Sequence, residues 1–211
     1  MSDYDPDEAT AREDLCRFLS ACYCEPAPEF AQENLFDSMR VAASRLDPVL
    51  AEHARRLGEA FDAQDLQTLL VDYTRLFLGP MEMLARPYES AWMAASAPTD
   101  EHPAPEVLAL YSEFGFEVDA EVMESPDHVA VELEFLYLLM FTLRQSTRAG
   151  DEDKLAATEQ ILRRFMDQHL GVWLGPFCAA VAAGAQTAFY RELAAFTNRF
   201  VRMVPVSAAV H

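Results

Sequence analysis

Basic residues are scarce in this chain: 16 lysines and arginines stand against 35 aspartates and glutamates, for a formal net charge of −19 over 211 residues. Such a surface repels a phosphate backbone and offers no counterion release, which argues against nucleic acid and against an anionic membrane surface as partners. A cationic partner is the natural complement; the plainer reading is that the charge serves solubility alone. Glycine is also sparse, with seven residues beside twelve prolines. With Ala, Leu, Glu and Arg plentiful, that scarcity favours helices over a turn-rich β-sandwich. No internal repeat, low-complexity tract or sustained strand alternation is present, and 51% hydrophobic residues are ample for one core. The expectation is an all-α, single-domain bundle of roughly nine to eleven helices spanning 1–211.

Other absences narrow the function. The amino terminus, "MSDYDPDEATARED", has no basic n-region or apolar h-region, so no secretion signal is read there and a cytoplasmic location is expected. The longest apolar run, Phe135–Phe141, falls far short of the ~20 residues a membrane span needs and is read as part of a buried helix. There is no G-x-G-x-x-G, no Walker loop and no G-x-S-x-G, which argues against ATPase and esterase chemistry. Of the histidines, His128 has an acid, Glu132, at the i, i+4 spacing that places two ligands on one helical face. Two ligands do not make a site, so neither a metal nor a cofactor is assigned, and no enzyme is expected. Cys16, Cys22, Cys24 and Cys178 match no paired zinc pattern and are read as buried free thiols.

What is present is helical periodicity. Leu15, Phe18, Leu19, Cys22 and Tyr23 share a face before "CEPAP" ends the helix. A second helix is read over Glu33–Arg45, a third through Leu50, Ala54, Leu57 and Phe61, and a fourth from Leu66 to Phe77, stopped by Gly79-Pro80. From Pro80 to Pro105 runs a long irregular connection with a helical turn or two around Ser90–Ala95; long ordered connections tend to be functional. Helices follow over Glu106–Phe114, from Ser125 through Leu143, over Leu155–Leu170, over Trp173–Val181 and over Phe189–Met203. The helix after Ser125 is apolar nearly all round and belongs in the middle of the bundle. The link before it reads as a hinge between subdomains 1–124 and 125–211, which would permit a domain-swapped dimer as well as a monomer.

Two stretches carry the candidate site. In "ESPDHVAVELEF", Ser125 suits the N-cap, Pro126 the first helical position, and Asp127 the first turn, where a carboxylate complements the helix dipole. His128 has no such local explanation, because the positive end of the dipole favours its neutral form. Asp127 and His128 diverge as helical neighbours, so recognition suits them better than a catalytic dyad. In "RPYESAW", Glu89 and Ser90 lie among Tyr88 and Trp92, where a carboxylate between aromatics can receive a guanidinium. Tyr73 and Phe77 add aromatic surface before the connection, with core packing as the equal alternative.

In order along the chain, "DYTRLFLGP", "RPYESAW", "ESPDHVAVELEFLYLL", "FMDQHLGVWLGPFCAAV" and "FYRELAAF" resemble segments of the TorD/DmsD/NarJ group, cytoplasmic chaperones of DMSO-reductase-family molybdoenzymes. The resemblance spans Tyr73 to Phe196. It implies an all-helical protein without catalysis. Such a protein binds the twin-arginine signal peptide of a molybdoenzyme catalytic subunit and delays export until the molybdopterin cofactor is installed. Molybdenum-cofactor biosynthesis proteins are further candidate partners. The resemblance carries a hinge and peptide site onto Pro126, Asp127 and His128, and a second part onto Pro87, Tyr88, Glu89 and Ser90. The apolar part of the peptide would lie along Tyr73, Phe77, Tyr88 and Trp92, and its arginines would meet Asp127, Glu124 or Glu89. The rival expectation is an acidic helical regulatory or assembly subunit that binds no signal peptide.

Overall fold

The computed structural model describes residues 5–79, 83–93, 104–116 and 125–205. Its helices begin where a short acid precedes an apolar face. Asp5 accepts the N–H groups of Asp7 and Glu8 to start α1 (Pro6–Cys22), with Pro6 in the first turn where its missing N–H is harmless. After the short α2 (Glu29–Gln32) and α3 (Leu35–Leu46), Asp47 caps α4 (Pro48–Asp62) through Leu50 N at 2.7 Å. Asp65 caps α5 (Leu66–Tyr73) through Thr68 N at 2.8 Å. The fourth helix of the sequence reading thus ends as an α-helix at Tyr73 and continues as a π turn, Thr74–Leu78, closed by Gly79 at φ 42°.

The remaining elements are α6 (Ser90–Met93), α7 (Ala104–Phe114), α8 (Val129–Ala149), α9 (Glu152–Gln168), α10 (Leu170–Gly184) and α11 (Ala188–Val201). Among the described residues there are eleven α-helices, the π turn and no strand, only an isolated antiparallel bridge between Tyr88 and His128. This is the all-α, single-domain bundle expected, and no described helix is long and apolar enough to cross a membrane.

α8 runs through the middle. From Val129 to Leu136 every residue but Glu134 is buried, while residues 141–144 are half-exposed, so the central shaft is the first half of the helix. α1 packs along it, fastened by the Arg144–Glu13 ion pair and by Ser20 Oγ donating to the Ala130 carbonyl at 2.9 Å. α4 packs on α11, with Arg199 forked onto Asp47 (2.8 Å for both contacts) and His53 Nδ1 2.9 Å from Glu192. Between these layers lies an aromatic core in which Phe77, Tyr23, Phe177 and Tyr190 meet. Cys16, Cys22 and Cys178 are buried free thiols as expected, and burial pushes all three up so that they stay protonated. Cys24 departs from that expectation: it lies beyond the end of α1 and is exposed.

Candidate functional site

The two candidate stretches meet. Val129 N donates to the Pro87 carbonyl at 2.8 Å, Glu89 N to the Asp127 carbonyl at 2.9 Å, and Ser90 N to Asp127 Oδ2 at 3.1 Å, across 37 residues of chain. Residues 87–90 and 125–129 thereby form a clasp at the entry to α8. Asp127 also receives the Ser125 hydroxyl on Oδ1, so both of its oxygens are engaged. Tyr111 closes the turn from α7 by donating its hydroxyl to the Pro126 carbonyl at 3.0 Å.

This clasp corrects the local reading of "SPDH". α8 begins at Val129, three positions later than a cap at Ser125 would place it, and its N-cap is His128 in an extended conformation (φ −73°, ψ 140°). His128 Nδ1 accepts the Ala130 N–H at 3.2 Å, so that nitrogen carries no proton. Asp127 has been drawn away from helix capping because a long-range N–H, that of Ser90, competes for its buried carboxylate. The neutral imidazole expected of His128 fits this acceptor role.

Behind the clasp the acids go deeper. Glu89, Asp127 and Glu132 are 2%, 2% and 0% exposed, and His169 is 5% exposed. Glu89 Oε1 lies 2.8 Å from His169 Nδ1, and Glu132 Oε2 accepts the Trp173 indole N–H at 3.0 Å. Burial, reinforced by Glu89 and Asp127, holds the Glu132 carboxyl well above the usual range; the Trp173 bond opposes this only in part. On the outer side, Tyr88, Ser90, Trp92, Ser125 and Pro126 are half-exposed and Pro87 is buried. The Tyr88 ring stands edge-on to His128 at 5.3 Å, and Trp92 reaches Phe177 at 6.3 Å while its indole donates to the Arg86 carbonyl at 2.8 Å.

The family model described as nitrate reductase delta subunit matches residues 43–179, which contain the clasp and every acid behind it. The chain belongs to this family. Among its relatives, the chaperone protein TorD of Vibrio parahaemolyticus is 29% identical over 154 residues, spanning 73% of this chain and 69% of that protein. The perchlorate reductase assembly chaperone protein of Dechloromonas aromatica is 33% identical over 96 residues, 46% of this chain and 42% of that one. A solved structure from Archaeoglobus fulgidus, assigned to redox enzyme maturation, shares the fold at a TM-score of 0.54 with 21% identity, covering 90% of this chain and 93% of its own. The relatives are named as chaperones and assembly proteins, so the expectation of a member of the TorD/NarJ group that is not an enzyme holds.

Within this family member, the structure brings together Pro87, Tyr88, Glu89, Ser90, Pro126, Asp127 and His128, with Trp92 one helical turn away. Tyr73 and Phe77 are buried in the aromatic core, linked to Trp92 through Phe177. Glu124 lies outside the described residues. Sequence reading missed His169 and Trp173 as partners of the acids, and Tyr111 as the partner of the Pro126 carbonyl. A signal was available: His169 and Trp173, four residues apart, share one face of a helix start.

That start depends on a glycine. A Cβ at Gly171 would lie 2.2 Å from the Met166 carbonyl oxygen, because α10 sets off directly over the last turn of α9. Gly171→Ala is therefore expected to cost about 3 kcal/mol, since backbone rather than a side-chain tip must give way. Urea unfolding would show it. The same shift would pull His169 off Glu89, seen as a changed His169 ring signal in NMR spectra.

Proposed function

We propose that this protein is a cytoplasmic chaperone that binds the twin-arginine signal peptide of a molybdoenzyme catalytic subunit, holding it back from export until the molybdopterin cofactor is in place. The observation that carries the reading is the clasp, in which the two stretches singled out for peptide recognition become one surface with an apolar lip and acids behind it. Family membership, relatives named as reductase chaperones and a formal charge of −19 support it.

The lip is Tyr88, Trp92 and Pro126, and the same segment exposes Leu84 and Met93, apolar surface suited to the hydrophobic part of a signal peptide. The arginines go to Glu89, Asp127 and Glu124. Glu89 and Asp127 are buried while the clasp is shut, so arginine capture opens residues 87–90 from α8 and exchanges intrachain donors for guanidinium N–H groups. His128, as the neutral N-cap of α8, holds its side of the clasp in register.

Hydrogen bonds to charged groups contribute about 1.5–3 kcal/mol where partly buried, against about 0–1 for an exposed pair. Titration calorimetry of the full chain with an Arg-Arg signal peptide, and with a Lys-Lys control, tests the reading. Glu89→Gln and Asp127→Asn are each expected to weaken the Arg-Arg peptide about tenfold or more, with Tm measured alongside to separate binding from folding. Equal affinity for both peptides, or unchanged affinity in both variants, would sink it.

A further inference from the structure

Two fully buried carboxylate oxygens, Glu89 Oε2 and Glu132 Oε1, have no hydrogen-bond partner among the described residues, although the other oxygen of each acid is engaged. The engaged oxygens are held by His169, the N-cap of α10, and by Trp173 inside that helix, so both buried acids turn one oxygen to the start of α10, and Glu89 lies close enough to Glu132 for a side-chain hydrogen bond. Two ionised carboxylates in that position would each lack a donor and would repel each other out of reach of water. One proton removes all of these penalties.

We propose that Glu89 and Glu132 share a single proton in the folded protein, carried on Glu132 Oε1 and donated to Glu89 Oε2, and that this acid pair latches residues 87–90 onto α8 and α10. Every oxygen of the pair then has its donor. The neutral Glu132 accepts the Trp173 indole N–H on its carbonyl oxygen, and the Glu89 carboxylate receives the His169 Nδ1–H on one oxygen and the Glu132 O–H on the other. The surrounding elements keep the proton in place. Asp127 adds negative charge from the 125–128 turn, and the α7 phenol of Tyr111 is itself pushed up by burial and then by Glu132, Glu89 and Asp127, so it stays neutral. His128 meets the Tyr88 ring and gives its Nδ1 to Ala130.

Stability depends on pH with a definite sign. An unfolded glutamate titrates near 4.5, and the folded Glu132 carboxyl lies well above that, so the folded chain binds the extra proton between the two values. The latch is intact below the lower value and is lost as pH rises through the upper one. Glu132→Gln mimics the protonated acid: its amide NH2 can donate to Glu89 while its oxygen accepts from Trp173. Urea unfolding of the full chain from about pH 5 to about pH 9 compares the two. The ratio of the wild-type to the Glu132→Gln folding constant is expected to fall by up to about tenfold per pH unit across this window. Parallel profiles would overturn the proposal. Infrared spectra of the wild type test it without a variant: a protonated carboxyl C=O band should persist at neutral pH in the folded state and vanish on unfolding. Absence of that band, whatever the variant does, would equally overturn it. Both measurements read a proton and no peptide, so their failure leaves the signal-peptide reading standing.

Discussion

Replacing Asp72 with alanine is expected to lower stability by about 3 kcal/mol, or about 6–12 °C in Tm for a chain of this size. Asp72 is buried near the end of α5, yet its carboxylate caps a helix whose N-cap, Thr187, lies 115 residues later. Oδ2 accepts Gln186 N at 2.9 Å, Thr187 N at 2.7 Å and the Thr187 hydroxyl at 2.8 Å, while Oδ1 receives Arg75 at 2.8 Å. Thr187, the N-cap of α11, gives its hydroxyl to Asp72 and makes no capping bond of its own. Alanine would strand the buried Thr187 N–H and hydroxyl, which costs more than the net value of the bonds themselves. Asp72→Asn keeps one acceptor oxygen but turns an amide N–H towards the others, so an intermediate loss is expected. Glu52→Ala serves as the control: it removes only exposed pairs to Arg55 and Arg56, so little change in stability is expected. Urea unfolding followed by circular dichroism would rank the three. Equal losses for Asp72→Ala and Glu52→Ala would mean that α11 is capped some other way.

Most helices were legible because each carries an apolar stripe, and several carry their own start signal as well. Asp5, Asp47 and Asp65 cap as isolated aspartates before helical patterns should, and α4 buries Leu50, Ala54, Leu57 and Phe61 at the spacing read from the sequence. Where sequence reading failed, a distant group had overridden the local preference. The step "SPDH" looks like a cap followed by a first turn, but Ser90 N takes the Asp127 carboxylate and passes the cap to His128. The π turn at Thr74–Leu78 carries no composition signal; the register it gives Phe77 is fixed by rings from α1, α10 and α11. The candidate site was legible as two stretches and not as one place, since nothing in the sequence states that Pro87 and Val129 share a hydrogen bond. Glu89 and Asp127 were read as acids at a crevice edge, and the structure buries both behind the lip. Glu89 is held inside by the buried imidazole of His169, and Asp127 by Ser90 N and the Ser125 hydroxyl, partners that a sequence reader assigns to scattered polarity.

Phe77 and Tyr88 should separate fold from recognition, and the larger effect belongs to Phe77. Its ring meets Tyr73 at 5.3 Å, Tyr190 at 5.6 Å, and both Tyr23 and Phe177 at 6.1 Å, so four elements converge on one side chain that is 2% exposed. Phe77→Ala is expected to cost about 4 kcal/mol, because such a site can collapse only in part around the cavity left behind. That is a drop of about 8–16 °C in Tm. Tyr88 is half-exposed and touches the His128 ring from outside, so Tyr88→Ala should change stability by less than about 1 kcal/mol. If the lip receives a signal peptide, the order reverses in a binding experiment. An aromatic side chain at the centre of a peptide contact contributes about 1–2 kcal/mol or more, and Tyr88→Ala should weaken the Arg-Arg peptide about tenfold at unchanged Tm. Phe77→Leu, which keeps most of the buried volume, should lose stability and leave affinity within about twofold. A Phe77→Leu protein with full stability and weakened peptide binding would put that ring in the peptide's path. A Tyr88→Ala protein with unchanged affinity would move the recognition surface away from the clasp.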